Sequence, residues 1–269
     1  MNLTELRKNY DRYLTLNYDA QNTIEAYTNC FEKFIFENNR VYRMSKIDLE
    51  NYFMEYTKRY SNSYYNQMLS SVNIIYKLLG QPFKLKGISY KRVIEKPIDI
   101  LSKNELIETF KSIKNLKHKV IISVLYLGGL RVSELLNMEL RNIDFENKRI
   151  LIKSSKNNIS GYFPINDKFV KTLSEYIEQY SPSKYLVEGR SGVKYSATSV
   201  RNIVKNKIKS GKRLYPHLLR HTCLTNLVDE GHNTVKVQVF ARHKTPKSTQ
   251  RYYHISNTAL QGMTLSLKP

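Results

Sequence analysis

The first third of the chain repeats apolar residues at the spacing of an amphipathic helix. Three successive stretches each place apolar side chains on one helical face, and the third stops at Gly80, a residue type that commonly ends helices. We therefore predict an all-helical domain over residues 1–88. The apolar positions are Ile24, Tyr27, Phe31, Phe34 and Ile35, then Ile47, Leu49, Tyr52, Phe53 and Tyr56, then Met68, Val72, Ile75 and Leu79.

The segment after this domain breaks the helical pattern. Residues 87–99 (GISYKRVIEKPID) show no clear periodicity and contain Pro97, which disfavours a continuing helix. We predict that residues 89–99 form a linker and that a second domain begins at residue 100.

Helical spacing resumes in the second domain and is interrupted by a short strand pattern. Ser102 and Glu105 form a capping-box sequence at the start of its first helix. Residues 100–269 are therefore predicted to be mainly helical with a small antiparallel sheet, a mixed α+β arrangement. The other predicted elements are helices over 119–139, 168–180, 198–208 and between Pro216 and Gly231, and strands over 148–153 and 161–165 around a polar turn.

The charge balance of the chain indicates an anionic partner. Lysine and arginine number 44 and aspartate and glutamate 23, which gives 44 − 23 = +21. Such an excess becomes favourable against a polyanion, because binding releases condensed counterions. Nucleic acid is the expected partner, and an anionic membrane is the competing one.

Other features of composition argue against a membrane and against a metal site. The longest apolar run, residues 120–130, includes Ser123 and two glycines and is too short to cross a bilayer. The N-terminal residues lack the apolar core of a signal peptide. Cys30 and Cys223 lie far apart and form no CxxC pair, so neither zinc nor a disulfide framework is expected. We expect a cytoplasmic protein in which both cysteines are buried.

Two arginines of the second domain are candidate phosphate ligands. His217 and Arg220 lie three residues apart near a helix start, where a guanidinium can grip phosphate oxygens while an imidazole moves a proton. An exposed basic helix start explains this motif equally well. Arg131 follows two glycines and needs a partner if it is buried. Glu134 can supply one, and a purely structural Arg131–Glu134 pair is the alternative.

Three further residues carry little weight one by one. His243 closes an apolar helix and by itself is best explained as a loop histidine. Lys156 lies in the polar turn between the predicted strands, where solvated lysines are usual. Tyr252 is one of 21 tyrosines. The order of all these residues along the chain is what makes them informative together.

That order resembles the tyrosine recombinase (phage integrase) family in the compact two-domain form of the Xer and Cre recombinases. The sequence GLRVSELL resembles the family's first arginine box, and HLLRH resembles its His-x-x-Arg box. Residues 241–254 resemble the last box, in which a histidine precedes the nucleophilic tyrosine by nine residues, as His243 precedes Tyr252. The resemblance covers nearly the whole chain, since the helical N-terminal segment is similar to the family's core-binding domain.

The resemblance implies both an architecture and a chemistry. Residues 1–88 would be a SAM-like helical core-binding domain and residues 100–269 the catalytic domain. A homotetramer on double-stranded DNA would cleave and rejoin strands through a 3′-phosphotyrosine, with no metal, cofactor, ATP or small-molecule substrate. The implied roles are Tyr252 as nucleophile, Arg131 and Arg220 as clamps on the non-bridging oxygens, His243 as a further donor to them, His217 as base, and Lys156 as acid for the departing 5′ oxygen.

The chain departs from the family's usual pattern at two places. Family members often carry Leu-Gly-His in the third box, whereas this chain has Ala241-Arg242-His243. The turn sequence also leaves two candidates for the active lysine, Lys153 and Lys156. Lys156 is favoured because it lies eight residues before Pro164, as in family members.

The biological role and the fate of the tail stay open at this point. Integration or excision of a mobile element or phage is the first hypothesis, and an Xer-like resolvase of chromosome or plasmid dimers the second. A type IB topoisomerase, a catalytically silent DNA-binding protein and a metal-dependent nuclease are the rivals. The tail after Tyr252 is rich in apolar residues, and we hypothesise that it docks on a neighbouring subunit, as in the family. Docking on its own domain is the alternative.

Overall fold

The computed structural model describes residues 2–93, 98–153, 160–189 and 192–243, together with residues 245–246, 248–249 and 252. The chain divides into two compact units, Met1–Lys96 and Pro97–Pro269. Each unit encloses an apolar core of its own.

The first unit is a bundle of four helices followed by a short 3-10 helix. These elements are α1 (Leu3–Asn17), α2 (Gln21–Glu37), α3 (Lys46–Arg59), α4 (Asn62–Leu78) and the 3-10 helix Pro82–Leu85. Helix α4 packs against the other three helices. The three predicted stretches are confirmed as α2, α3 and α4. Helix α1 was not singled out in the sequence, although its buried residues Leu6, Tyr10 and Leu14 stand at helical spacing.

The first part of the predicted linker lies along α4. The side chain of Asn66 pairs with the backbone of Lys91, accepting from its N–H at 2.7 Å and donating to its carbonyl at 2.8 Å. The Asn62 side chain donates to the carbonyl of Arg92 at 2.8 Å. Residues 94–97 lie outside the described residues, so the linker remains a prediction.

The second unit is built around one deeply buried helix. Its helices are α5 (Lys103–Ser112), α6 (Leu116–Leu127), α7 (Val132–Leu136), α8 (Asp167–Tyr180), α9 (Ala197–Lys207), α10 (Pro216–Asp229) and α11 (Thr234–Ala241). Helix α6 packs against α8, α9 and α10. Because it is covered on several sides, its buried residues run almost continuously through Val120, Ile121, Ile122, Val124 and Leu125.

The single helix predicted over 119–139 is wrong, because the chain forms two helices there. Helix α6 ends at Leu127, and Gly129 adopts a left-handed backbone with φ +53°. The Leu130 N–H then donates to the Leu125 carbonyl at 3.0 Å, which closes a glycine-dependent helix end. Helix α7 starts only after this turn, and the turn brings Arg131 to its N-cap position.

Three short antiparallel strands complete the second unit. They are β1 (Ile143–Asp144), β2 (Arg149–Ile152) and β3 (Gly161–Pro164), in the order β1-β2-β3. Ile150 pairs with Phe163 and Ile152 with Gly161, so the buried isoleucines and Phe163 face the core. The two predicted strands are confirmed as β2 and β3. Strand β1 has only two residues, too few to produce a pattern in the sequence.

The predicted fold class is confirmed: a helical N-terminal unit and a mainly helical C-terminal unit with a small antiparallel sheet. Cys30 and Cys223 are both buried, as expected. Over the described ranges, no helix combines the length and apolar character that a membrane span requires.

Candidate active site

Arg220 is held in the interior of the second unit. It lies one turn into α10, which Pro216 opens, and only 1% of its surface is exposed. Its Nη1 donates to the Gly129 carbonyl at 2.5 Å, and its Nη2 donates to the Ala241 carbonyl. A buried guanidinium needs such acceptors, because removing a charge from water is costly. Arg220 thereby joins the turn after α6 to the end of α11.

Arg131 is fixed by Glu134 at the start of α7. Its backbone N–H donates to Oε2 of Glu134 at 2.8 Å, and its Nη1 donates to Oε1, also at 2.8 Å. The pairing that the sequence allowed is therefore present. The Arg131 side chain still keeps 32% of its surface exposed and is therefore accessible to a ligand.

The Glu134 carboxylate serves three arginines. Besides Arg131, Nη2 of Arg242 lies 3.2 Å and Nη1 of Arg220 lies 3.9 Å from Oε2 of Glu134. Burial raises the pKa of Glu134, but the three arginine charges and the Arg131 backbone N–H outweigh it, so the pKa is lowered overall. One ionised carboxylate thus compensates three guanidinium groups, and positive charge is left over.

This excess positive charge affects the pKa of Arg220. Burial, followed by repulsion from Arg131 and Arg242, lowers the pKa of Arg220 to about 10, against the opposing effect of Glu134. The group remains charged at neutral pH and would gain from an anionic partner. The cluster is therefore suited to hold a phosphate.

Tyr252 lies in an apolar setting beside this cluster. Only 2% of its surface is exposed, and it packs among Leu224, Val228 and Val237. Its hydroxyl oxygen is 3.0 Å from Nδ1 of His221, a residue on α10 that follows Arg220 directly. A phenol next to an imidazole has a route for losing its proton.

Two further histidines lie around this pair. The His243 ring is nearly parallel to the Tyr252 ring, at 7°, with centroids 6.1 Å apart, and its Nδ1 is 2.8 Å from Oγ1 of Thr249. His217 is exposed on α10. Its ring meets that of His221 edge to face at 5.5 Å. The imidazoles of His217 and His221 therefore lead from the exposed helix start to the Tyr252 hydroxyl.

The structure brings five of the six predicted residues into one region. They are Arg131, His217, Arg220, His243 and Tyr252. The sixth, Lys156, lies outside the described residues, whereas the alternative Lys153 is exposed directly after β2.

Sequence reasoning missed two residues of this region, His221 and Arg242. Each had a signal in the sequence. His221 extends the His-x-x-Arg box by one residue, and Arg242 stands where family members often carry glycine. Neither signal reveals which atoms the side chain contacts, because both contacts join segments that are distant along the chain.

Comparison with known proteins identifies the family of the chain. The model of the phage integrase family matches residues 100–258, more than half of the chain. Tyrosine recombinase XerC of Staphylococcus epidermidis is 30% identical over 164 residues, which cover 58% of this chain and 55% of XerC. The chain thus spans about half the length of that relative.

Two other matches extend over most of the chain. A tyrosine recombinase of Thermosipho africanus is 26% identical over 257 residues, covering 88% of this chain and 90% of that protein. The Tn1549 transposon integrase, solved in complex with transposon right end DNA, shares the fold with a TM-score of 0.70 at 17% identity, covering 92% of this chain and 94% of that one. Since the family model spans more than half of the sequence and the predicted boxes lie within it, this protein belongs to the phage integrase family, the tyrosine recombinases.

Proposed function

We propose that this protein is a site-specific DNA recombinase that cleaves and rejoins strands through Tyr252. One observation carries the proposal. The Tyr252 hydroxyl contacts an imidazole beside a cluster in which three guanidinium groups share one carboxylate. A nucleophile, imidazoles in its neighbourhood and excess positive charge are the parts that an attack on a phosphodiester requires.

The reaction is a displacement at phosphorus. The phenol oxygen of Tyr252 forms a bond to phosphorus, and the bond from phosphorus to the 5′ oxygen breaks. The product is a 3′-phosphotyrosine and a free 5′-hydroxyl. A 5′-hydroxyl from a partner strand reverses the step, and no ATP is needed because the tyrosyl ester retains the energy of the broken link.

The arginines stabilise the charge that develops in this step. Arg131 and Arg220 bind the non-bridging oxygens, where negative charge grows in the five-coordinate transition state, and His243 adds a hydrogen bond there. These fixed cations take the part that metal ions play in other phosphoryl-transfer sites. Lys156 donates the proton that the 5′ oxygen needs when it leaves.

Two imidazoles compete for the proton of Tyr252, whose side-chain type has an ordinary pKa of about 10 and is protonated at neutral pH. We assign the base to His217, which lies at the exposed start of α10 where a phosphate would approach. His221 holds the hydroxyl in the DNA-free protein. Hydrogen bonds at catalytic sites commonly rearrange when substrate binds.

Double-stranded DNA is the proposed partner, with four subunits assembled on two duplexes. The net charge of +21 favours a polyanion, and the matched Tn1549 integrase was solved with DNA. We place integration or excision of a mobile element or phage first, and Xer-like resolution of chromosome or plasmid dimers second.

A nicked "suicide" duplex tests the function. A random-sequence pool of such duplexes, incubated with EDTA, should yield an adduct that survives SDS. DNA binding without any adduct would indicate a silent DNA-binding protein, and an adduct or cut that EDTA abolishes would indicate a metal-dependent nuclease. Strand exchange between two duplexes carrying the selected site would exclude a topoisomerase.

The sites that are exchanged bear on the biological role. Exchange between two sites of different sequence would support integration, and exchange between two sites of the same sequence would support resolution.

A further inference from the structure

Arg242 occupies a backbone conformation that usually belongs to glycine. It is the C-cap of α11, with φ +53° and ψ 44° in the left-handed region. Side chains with a Cβ rarely adopt this conformation. A residue that is held there needs compensating contacts, and those contacts show what its side chain does.

The side chain of Arg242 turns inward and is 2% exposed. Its Nη1 donates to the Phe240 carbonyl at 2.6 Å. Its Nη2 lies 3.2 Å from the Gly128 carbonyl, 3.4 Å from the Gly129 carbonyl and 3.2 Å from Oε2 of Glu134. Its aliphatic stem passes over β3, where a Cβ added at Gly161 would lie 3.7 Å from its Cγ.

These contacts duplicate the bridge that Arg220 makes. Arg220 joins the Gly129 carbonyl to the Ala241 carbonyl, and Arg242 joins the same glycine turn to the neighbouring Phe240 carbonyl. Two guanidinium groups therefore tie the end of α6 to the end of α11. Loss of the Arg242 side chain would remove one of these two links and allow the carbonyls that orient Arg220 to move.

Arg242 also lies between two parts of the candidate active site. The residue before it, Ala241, accepts the Arg220 hydrogen bond, and the residue after it, His243, lies parallel to Tyr252. Fixing Arg242 therefore fixes the backbone that orients Arg220 and His243. A simple helix cap would need no charge, whereas this one shares Glu134 with Arg131 and Arg220.

We propose that Arg242 is a positioning residue of the active site, which holds the Arg220 guanidinium and the His243 ring in place through the glycine turn and Glu134 and adds one buried positive charge behind the phosphate. This role rests on the proposed DNA cleavage. It assigns the unusual left-handed arginine a part in the reaction rather than in folding alone.

Three substitutions separate the elements of this role. Arg242→Gly suits the left-handed backbone and removes the side chain. Arg242→Met keeps the apolar stem without charge, and Arg242→Lys keeps the charge without the planar fork that reaches several acceptors at once. Arg141→Met is the matched control, because Arg141 is 73% exposed and its removal also takes away one positive charge.

The measurement is the single-turnover rate of adduct formation on a nicked duplex selected by the wild-type protein, at saturating DNA, beside the DNA Kd and the thermal unfolding midpoint. We expect Arg242→Gly and Arg242→Met to lower the rate at least tenfold, with Kd changed less than threefold and a cooperative unfolding transition retained. Arg242→Lys should recover only part of the rate, and Arg141→Met should stay within twofold of wild type.

Each other outcome bears on a different claim. A wild-type protein that forms no adduct on any duplex refutes the proposed function itself. An active wild type with an Arg242→Gly rate within threefold of it overturns only the positioning role. If all three Arg242 variants lose cooperative unfolding, Arg242 is a folding residue and the proposal is equally overturned.

Discussion

The hydroxyl of Tyr252 lies 3.0 Å from Nδ1 of His221, and the ring of His217 meets the His221 ring edge to face with centroids 5.5 Å apart. Pairwise contacts of two histidines one helical turn apart thus connect the exposed start of α10 with the buried phenol. The arrangement offers two acceptors for one proton, and it makes their roles separable by experiment.

The pH dependence of adduct formation should identify the base. Imidazole ordinarily titrates near pH 6.5, so a histidine base gives a rate that falls as pH drops through that region. In His217→Gln we expect the rate to fall about 10²-fold or more and this acidic limb to disappear. His221→Gln keeps a hydrogen-bond acceptor for Tyr252, and its slower rate should keep the limb. If instead the fall in rate at acidic pH disappears in His221→Gln and persists in His217→Gln, His221 is the base.

Removal of Arg220 should slow the chemical step strongly. Deleting one preorganised donor to a developing oxyanion costs about 2.7–4 kcal/mol, or about 10²–10³-fold in rate. We expect at least this loss for Arg220→Ala and a smaller loss for Arg220→Lys, measured as single-turnover cleavage. Unfolding must be followed in parallel, because Arg220→Ala removes the Arg220 hydrogen bonds to the Gly129 and Ala241 carbonyls. A cleavage rate for folded Arg220→Ala within a few-fold of wild type would contradict the clamp.

Glu134 should make stability depend on pH in the acid range. Its pKa is lower in the folded chain than its ordinary value of 4.5. A carboxylate of this kind stabilises the fold above its unfolded pKa, and the contribution is lost as pH falls through the folded value. The unfolding free energy of wild type minus that of Glu134→Gln should therefore be constant near neutrality and shrink below about pH 4.5. A difference in unfolding free energy that persists unchanged to pH 3 would contradict an ionised Glu134 that stabilises the fold.

The active lysine can be found with a modified substrate. A 5′-bridging sulfur leaves as a thiolate and needs little help from an acid, so it should rescue a variant that lacks the proton donor. We expect Lys156→Ala to cleave ordinary DNA at least tenfold more slowly and the sulfur substrate at close to the wild-type rate. Lys153→Ala serves as the matched comparison and should cleave both substrates normally. Rescue confined to Lys153→Ala would move the assignment to Lys153.

The sequence alone predicted those site residues that lie close together within one short segment. His217 and Arg220 share one helical turn, and the spacing of His243 and Tyr252 is a property of a single stretch. The apolar faces of α2, α3 and α4 were visible for the same reason, since each repeats within one helix.

The features that escaped prediction depend on tertiary contacts or on a single backbone angle. The 119–139 pattern stayed apolar across Gly129, but φ +53° at that glycine ends the helix and turns a carbonyl toward Arg220. The burial of Arg242 depends on Glu134, more than a hundred residues away. The contact of His221 with Tyr252 likewise joins two segments that no local pattern connects.

The most direct test of the account is the identity of the residue that becomes attached to DNA. Wild-type protein trapped on a nicked duplex in EDTA should be digested with trypsin and nuclease, and the nucleotide-bearing peptide sequenced by mass spectrometry. We predict a 3′-nucleotide on Tyr252, and no adduct from Tyr252→Phe, which should still bind the duplex. A nucleotide on Tyr253 or any other residue, or an undiminished adduct from Tyr252→Phe, would contradict the proposed mechanism.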